Sequence, residues 1–314
     1  MRDRSWRLHG SITALASPFR DGRLDEERLG AMVARQVARG TTALVVSGST
    51  GEASMLSMSE HVRLIRTVSA VAAGCVPVIA GCTATATEVS RFLAVAAARA
   101  GADAVMLAAP PYVKPTQEGI AAHMRAVARA ADLPVVLYDV PSRVGVAIAD
   151  ATVARLFAEG VVIALKDATG DLSRPARLRA LCGPGLVQLT GEDAEAVAYR
   201  AAGGDGCVSV TANLSPALCA LVQRCWDDGD IRRARDIEAV LAPLHRALFL
   251  ESNPIPLKAA LAEIGLCGDV VRAPLTPALE ATRAALAVAL AGVMPAEDDA
   301  ARCRAAVPVM RMTG

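Results

Sequence analysis

The stretch Val161-Val162-Ile163-Ala164-Leu165-Lys166-Asp167 is five apolar residues closed by a lysine and an aspartate, with Gly160 just before it. A continuous run of Val, Ile and Leu bounded by a breaker marks a strand buried on both faces, as strands of a parallel sheet are. Seven further runs of this kind flank it, at residues 11–19, 42–47, 77–81, 104–108, 134–140, 186–190 and 207–211. The segments between them, among them 25–39, 59–73, 87–100, 117–131 and 193–202, carry Ala, Leu and Val at helical spacing with Arg or Glu on the other face. Ser59, Asp150 and Asp193 are expected at helix starts, and Gly40, Gly101 and Gly160 at helix ends. Strand and helix alternate to residue 213, after which the pattern is helical only, at 216–227, 231–250, 255–264 and 277–291. The expectation is α/β: a (β/α)8 barrel of the TIM type with a C-terminal helical extension. An open doubly wound sheet is the competing architecture, but its G-x-G-x-x-G and G-x-x-x-x-G-K phosphate motifs are missing. The expected division is a barrel at 1–225, a helical region at 226–296 and a flexible tail at 297–314.

Composition narrows the class. Hydrophobic residues make up 53% of the chain and aromatics only 3%, so the core must be built from Ala, Val, Leu and Ile. Lys plus Arg (33) nearly balances Asp plus Glu (32), with no long run of one sign, so nucleic acid is not an expected partner. Arg232, Arg233 and Arg235 read as a solvated helix face. The eight cysteines are scattered without a C-x-x-C pair, which fits a reducing cytoplasm. Residues 12–16 form too short an apolar stretch for a signal peptide, and no run approaches the roughly 18 apolar residues of a membrane span. A cytoplasmic protein with no membrane partner is expected.

In a barrel of this kind, chemistry gathers at the C-terminal strand ends, so polar residues that interrupt the apolar runs carry the most weight. Lys166 is the clearest, because desolvation favours the neutral amine that attacks a carbonyl. Alternatively, it extends from the strand end or pairs with Asp167. Tyr138 interrupts the run 134–140, where a phenol can relay protons or simply pack. Tyr112, in the Pro110-Pro111-Tyr112 turn, is open to the same two readings. Gly48-Ser49-Thr50-Gly51-Glu52 follows the second run, and its backbone N–H groups and hydroxyls suit a carboxylate. Arg143 follows the fifth run, placed either to clamp a second carboxylate or to lie in solvent. The four histidines show no H-x-x-H or H-E-x-x-H spacing, so no metal is expected.

Six ordered segments carry a resemblance: GSTGEA (48–53), PPYVKP (110–115), LYDVPSRVG (137–145), LKDATGD (165–171), GDGCVSVTAN (204–213) and NPIPLK (253–258). Together the chain resembles the dihydrodipicolinate synthase and N-acetylneuraminate lyase family, from about residue 10 to about residue 290. The resemblance implies a homotetramer, a dimer of dimers, and an enzyme that holds pyruvate as a Schiff base and needs no metal or organic cofactor. It places Lys166 at the Schiff-base position, Tyr138 beside it, and Ser49 and Tyr112 in a proton relay, with Tyr112 reaching the neighbouring subunit's site. Thr50 is implied as a pyruvate-carboxylate contact, and Val208 as the donor of a backbone carbonyl near pyruvate.

Arg143 in its P-S-R-x-G context matches the arginine that receives the carboxylate of L-aspartate 4-semialdehyde in the synthase branch. Ser49 stands where synthases usually carry threonine, which removes the methyl that restricts the hydroxyl's rotamer, the GSTGEA string is closer to the lyase form, and Asp139 stands where asparagine is common. The expected activity is a condensation of pyruvate with aspartate semialdehyde in lysine and diaminopimelate biosynthesis. The alternatives are a 2-oxo-acid aldolase, lyase or dehydratase acting on a sugar acid or other aldehyde, and a non-catalytic carboxylate-binding paralogue.

Overall fold

The computed structural model of the chain describes residues 8–305. Eight parallel strands close into one barrel: β1 (Gly10–Ala14), β2 (Ala43–Val46), β3 (Val78–Gly81), β4 (Ala104–Ala108), β5 (Val135–Asp139), β6 (Val162–Asp167), β7 (Val187–Thr190) and β8 (Gly206–Ser209). Each pairs with its successor, and β8 returns to β1 with Ile12 opposite Val208. Leu44, Ile79, Leu107, Leu137, Leu165 and Leu189 of these strands are fully buried. The (β/α)8 architecture expected from the alternation is the one observed.

The first strand is shorter than its apolar run. It stops at Ala14, and the chain turns at Pro18 into a two-stranded hairpin, Phe19–Arg20 against Arg23–Leu24. Asp21 and Gly22 both have positive φ, as a two-residue hairpin loop requires.

A helix follows each strand: α1 (Glu26–Arg39), α2 (Met58–Ala72), α3 (Thr87–Ala100), α4 (Gln117–Ala131), α5 (Asp150–Ala158), α6 (Arg174–Cys182), α7 (Ala196–Ala201) and α8 (Pro216–Asp227). Ser57, two residues before the serine expected as the cap, closes a capping box with Glu60 at the start of α2. Asp193 is no simple cap. Its carboxylate accepts the backbone N–H groups of Val210 and Thr211, at 2.8 and 3.2 Å, and so organises the chain leaving β8.

The extension comprises α9 (Ile231–Ala247), α10 (Ile255–Glu263) and α11 (Glu280–Ala305). α11 runs through Pro295 into residues read from the sequence as a flexible tail, of which 306–314 lie outside the described residues. Glu297 gives the reason. Although it opens an acidic run, it is fully buried, accepts the N–H groups of Ala217 and Leu218 at 3.1 and 2.9 Å, and pairs with Arg39 at 2.8 Å. A carboxylate there satisfies orphan donors at the start of α8 and complements its dipole. Among the described residues, no helix is long and apolar enough to cross a membrane.

A second buried carboxylate ties the extension to the barrel. Glu52, in the loop after β2, meets Lys258 of α10 at 2.6 Å, and both side chains are wholly buried. The second oxygen of Glu52 accepts the backbone N–H of Arg272, at 2.8 Å. Phe19 lies beneath, with the Lys258 ammonium 4.1 Å and the Arg272 guanidinium 4.2 Å from its ring centre. Burial pulls the Lys258 ammonium below its ordinary range while Glu52 pulls it back.

Two stability predictions follow from these buried carboxylates. Lys258→Met should destabilise the chain by about 3–5 kcal/mol in urea unfolding, because Glu52 would stay buried without its counter-charge. Glu297→Ala should cost about 2 kcal/mol in the same experiment, since the N–H groups at the start of α8 lose their acceptor.

Candidate active site

Two adjacent strands set the centre of the site. In the β5–β6 ladder Tyr138 lies opposite Lys166 and Asp139 opposite Asp167. Side chains alternate along a strand, so the tyrosine and lysine share one face while the two aspartates share the other. The Lys166 ammonium lies 4.2 Å from the centre of the Tyr138 ring, and both residues are buried. Gly191, just beyond β7, makes room for the lysine: a Cβ there would come within 2.9 Å of the Lys166 Cε. The lysine therefore neither reaches solvent nor pairs with its neighbour Asp167, the two alternatives the sequence left open.

The loop after β2 is bent by local bonding. Ser47 adopts a left-handed backbone, and its hydroxyl meets His61 Nδ1 of α2 at 2.8 Å. Gly81 allows the close approach of β3, because a Cβ there would lie 2.0 Å from the Ser47 carbonyl oxygen. The N–H groups of Gly51, Glu52 and Ala53 bond back to the carbonyls of Gly48 and Ser49, so these donors serve the turn itself. Ser49 is half-buried in this turn, and Thr50 is buried beside it.

Asn253, at the entry to α10, links the loop to the far rim. Its side-chain amide donates to the Thr50 hydroxyl at 3.0 Å, while its backbone carbonyl accepts from the Arg143 guanidinium at 3.3 Å. Arg143 occupies the short helical turn Pro141–Val144 after β5 and is otherwise exposed. The sequence presented Asn253 only as one letter of a motif, because its partners lie more than a hundred residues away.

Val208 sits in β8, buried, opposite Ile12. Tyr112 is not brought to Lys166 within the chain. It is 91% exposed, with φ of 73°, an unfavourable backbone for a bulky residue. Glu192, missed in the sequence, follows Gly191 at the end of β7. Burial and the nearby Glu195 push its carboxyl above the usual range, while the charges of Lys166 and Arg143 draw it down. Its place at a strand's C-terminal end was the available signal.

The arrangement offers an amine in an apolar setting, a phenol against it, hydroxyls at a tight turn and a guanidinium at the rim. This suits imine formation with a small oxo-acid and capture of a second acid. Among the described residues no three His, Cys, Asp or Glu side chains cluster as a metal site.

Known proteins place the chain. The sequence profile of the dihydrodipicolinate synthetase family matches residues 7–292. The 4-hydroxy-tetrahydrodipicolinate synthase of Rhodospirillum centenum is 46% identical over 283 residues, covering 90% of this chain and 97% of that protein. The synthase of the same name from Hyphomonas neptunium is 47% identical over 290 residues, covering 91% and 99%. Among solved structures, the 4-hydroxy-tetrahydrodipicolinate synthase of Methylacidiphilum fumariolicum superposes with a TM-score of 0.91 at 32% identity, covering 95% of this chain and 99% of that one. With the sequence matched almost end to end and the barrel superposing throughout, the chain belongs to the dihydrodipicolinate synthetase family.

Proposed function

We propose that this chain condenses pyruvate with L-aspartate 4-semialdehyde, the activity named in its relatives, 4-hydroxy-tetrahydrodipicolinate synthases. The observation that carries the reading is the buried Lys166 amine held 4.2 Å from the Tyr138 ring centre at the barrel's C-terminal end. The Lys166 amine attacks the pyruvate carbonyl, and loss of water gives an imine. Removal of a methyl proton yields the enamine, whose carbon attacks the aldehyde. The substrate's own amine then adds to the imine carbon, closing the ring and releasing Lys166.

Tyr138, Ser49 and Tyr112 relay protons in these steps, and Thr50 with the Val208 carbonyl orients pyruvate. Arg143 receives the carboxylate of the semialdehyde, which favours this substrate over a sugar acid. Its anchoring to Asn253 supports that role, because a guanidinium fixed at the rim is ready for an incoming acid.

The assembly is a homotetramer of two tight dimers, in which Tyr112 completes the partner's relay. The 91% exposure of Tyr112 in a single chain supports this, since a relay hydroxyl must be sheltered somewhere. The cytoplasm is the proposed location, supported by the free cysteines among the described residues.

Pyruvate with borohydride should add one pyruvate-derived group per chain, found by peptide mass spectrometry on Lys166 and absent from Lys166→Ala. Modification of a different lysine would overturn the reading. Arg143→Ala should retain this trapping while kcat/KM for aspartate semialdehyde, in an assay coupled to reduction of the product, falls about a hundredfold. Normal condensation by Arg143→Ala would exclude the role given to the guanidinium.

A further inference from the structure

Behind Tyr138 and Lys166, on the outer side of the same two strands, lies a buried charge cluster that the proposed mechanism does not use. Asp139 and Asp167 face each other across the β5–β6 ladder, and each is nearly inaccessible to solvent. Like charges directly opposite on neighbouring strands repel, and burial strengthens the effect. Left to themselves, these carboxylates would part the strand ends at the level of the proposed Schiff base.

Arg174, in the first turn of α6, sits between them. Its Nη1 donates to Asp139 at 2.7 Å and to Asp167 at 3.3 Å. Its Nε donates to Asp150 at 2.9 Å, and its Nη2 to the carbonyl of Ile148 at 2.7 Å. Every nitrogen of the guanidinium is engaged, and the residue is only 3% exposed. Asp139 also accepts the N–H of Ile148, and Asp167 accepts the N–H and hydroxyl of Thr169. Burial and the charge of Asp167 push the Asp139 carboxyl above its usual range, against the pull of Arg174.

The strand backbones carry the geometry from one face to the other. Tyr138 and Asp139 are consecutive, as are Lys166 and Asp167, so a shift between the aspartates moves the tyrosine and lysine with it. A side chain misplaced by about 1 Å can cost two orders of magnitude in rate. We infer that Arg174 is a positioning residue for the reaction, a clamp on the outside of the barrel that fixes the spacing of Tyr138 and Lys166 inside it. The clamp favours the step in which the phenol must meet the imine, and touches no substrate.

This inference rests on the reading of Lys166 as the Schiff-base lysine, and the test separates the two. Pyruvate and borohydride first count the competent sites in wild type, Arg174→Gln and Arg174→Lys. Turnover with pyruvate and aspartate semialdehyde is then expressed per trapped lysine, which corrects for misfolded chains. We expect kcat per trapped lysine to fall about tenfold or more in Arg174→Gln, with KM for pyruvate within about threefold of wild type. Arg174→Lys keeps the charge and folds more readily, but a single ammonium cannot reproduce the fork, so a fall of about threefold or more is expected. If Arg174→Gln does not fold, the lysine variant decides alone. A smaller loss, or one carried by KM, overturns the clamp. Failure of wild type to trap pyruvate at Lys166 overturns the functional reading beneath it.

Discussion

Residue alternation along β5 and β6 is the constraint on which the site depends. With side chains pointing in turn to opposite faces and the two strands in fixed register, one pair of residues is committed to the barrel interior and the next to the helix layer. A slip of one residue would exchange the two sets, putting the aspartates inside and burying Tyr138 and Lys166 against helices. Barrel closure excludes such a slip, because it would have to pass through all eight strands at once. The inner chemistry and the outer charge cluster are therefore two products of one alignment.

The second organising feature is the reach of the C-terminal helices back across the barrel mouth. Asn253 holds Thr50 and Arg143, while Lys258 and the backbone of Arg272 neutralise Glu52. The turn after β2 is short and internally bonded, yet its burial is acceptable only because a cation from α10 meets its carboxylate. In this fold the extension is a wall of the site.

Much of the architecture was legible because most strands are short, largely apolar runs and helices α1 to α4 each have an amphipathic face. Lys166 and Tyr138 stood out for the same reason, as polar residues in otherwise apolar strands. Asn253 and Lys258 did not, since their significance lies in partners that the fold brings together from distant parts of the chain. Residues 297–305 misled for a related reason. The run Glu297-Asp298-Asp299 after Pro295 reads as solvated, and only the packing of α11 against α8 and α1 turns Glu297 inward. Tyr112 is a different case: its exposure shows that one chain does not shelter it.

The pairing of Glu52 with Lys258 joins residues 206 positions apart in the chain. A ribosome delivers the catalytic candidates Lys166 and Tyr138 long before it delivers α10. Until Asn253 and Lys258 have left the exit tunnel, the turn carrying Ser49 and Thr50 lacks the amide that holds Thr50 and the cation that meets Glu52. The last bonds of the candidate site are thus completed only when α10 joins the barrel, late in translation.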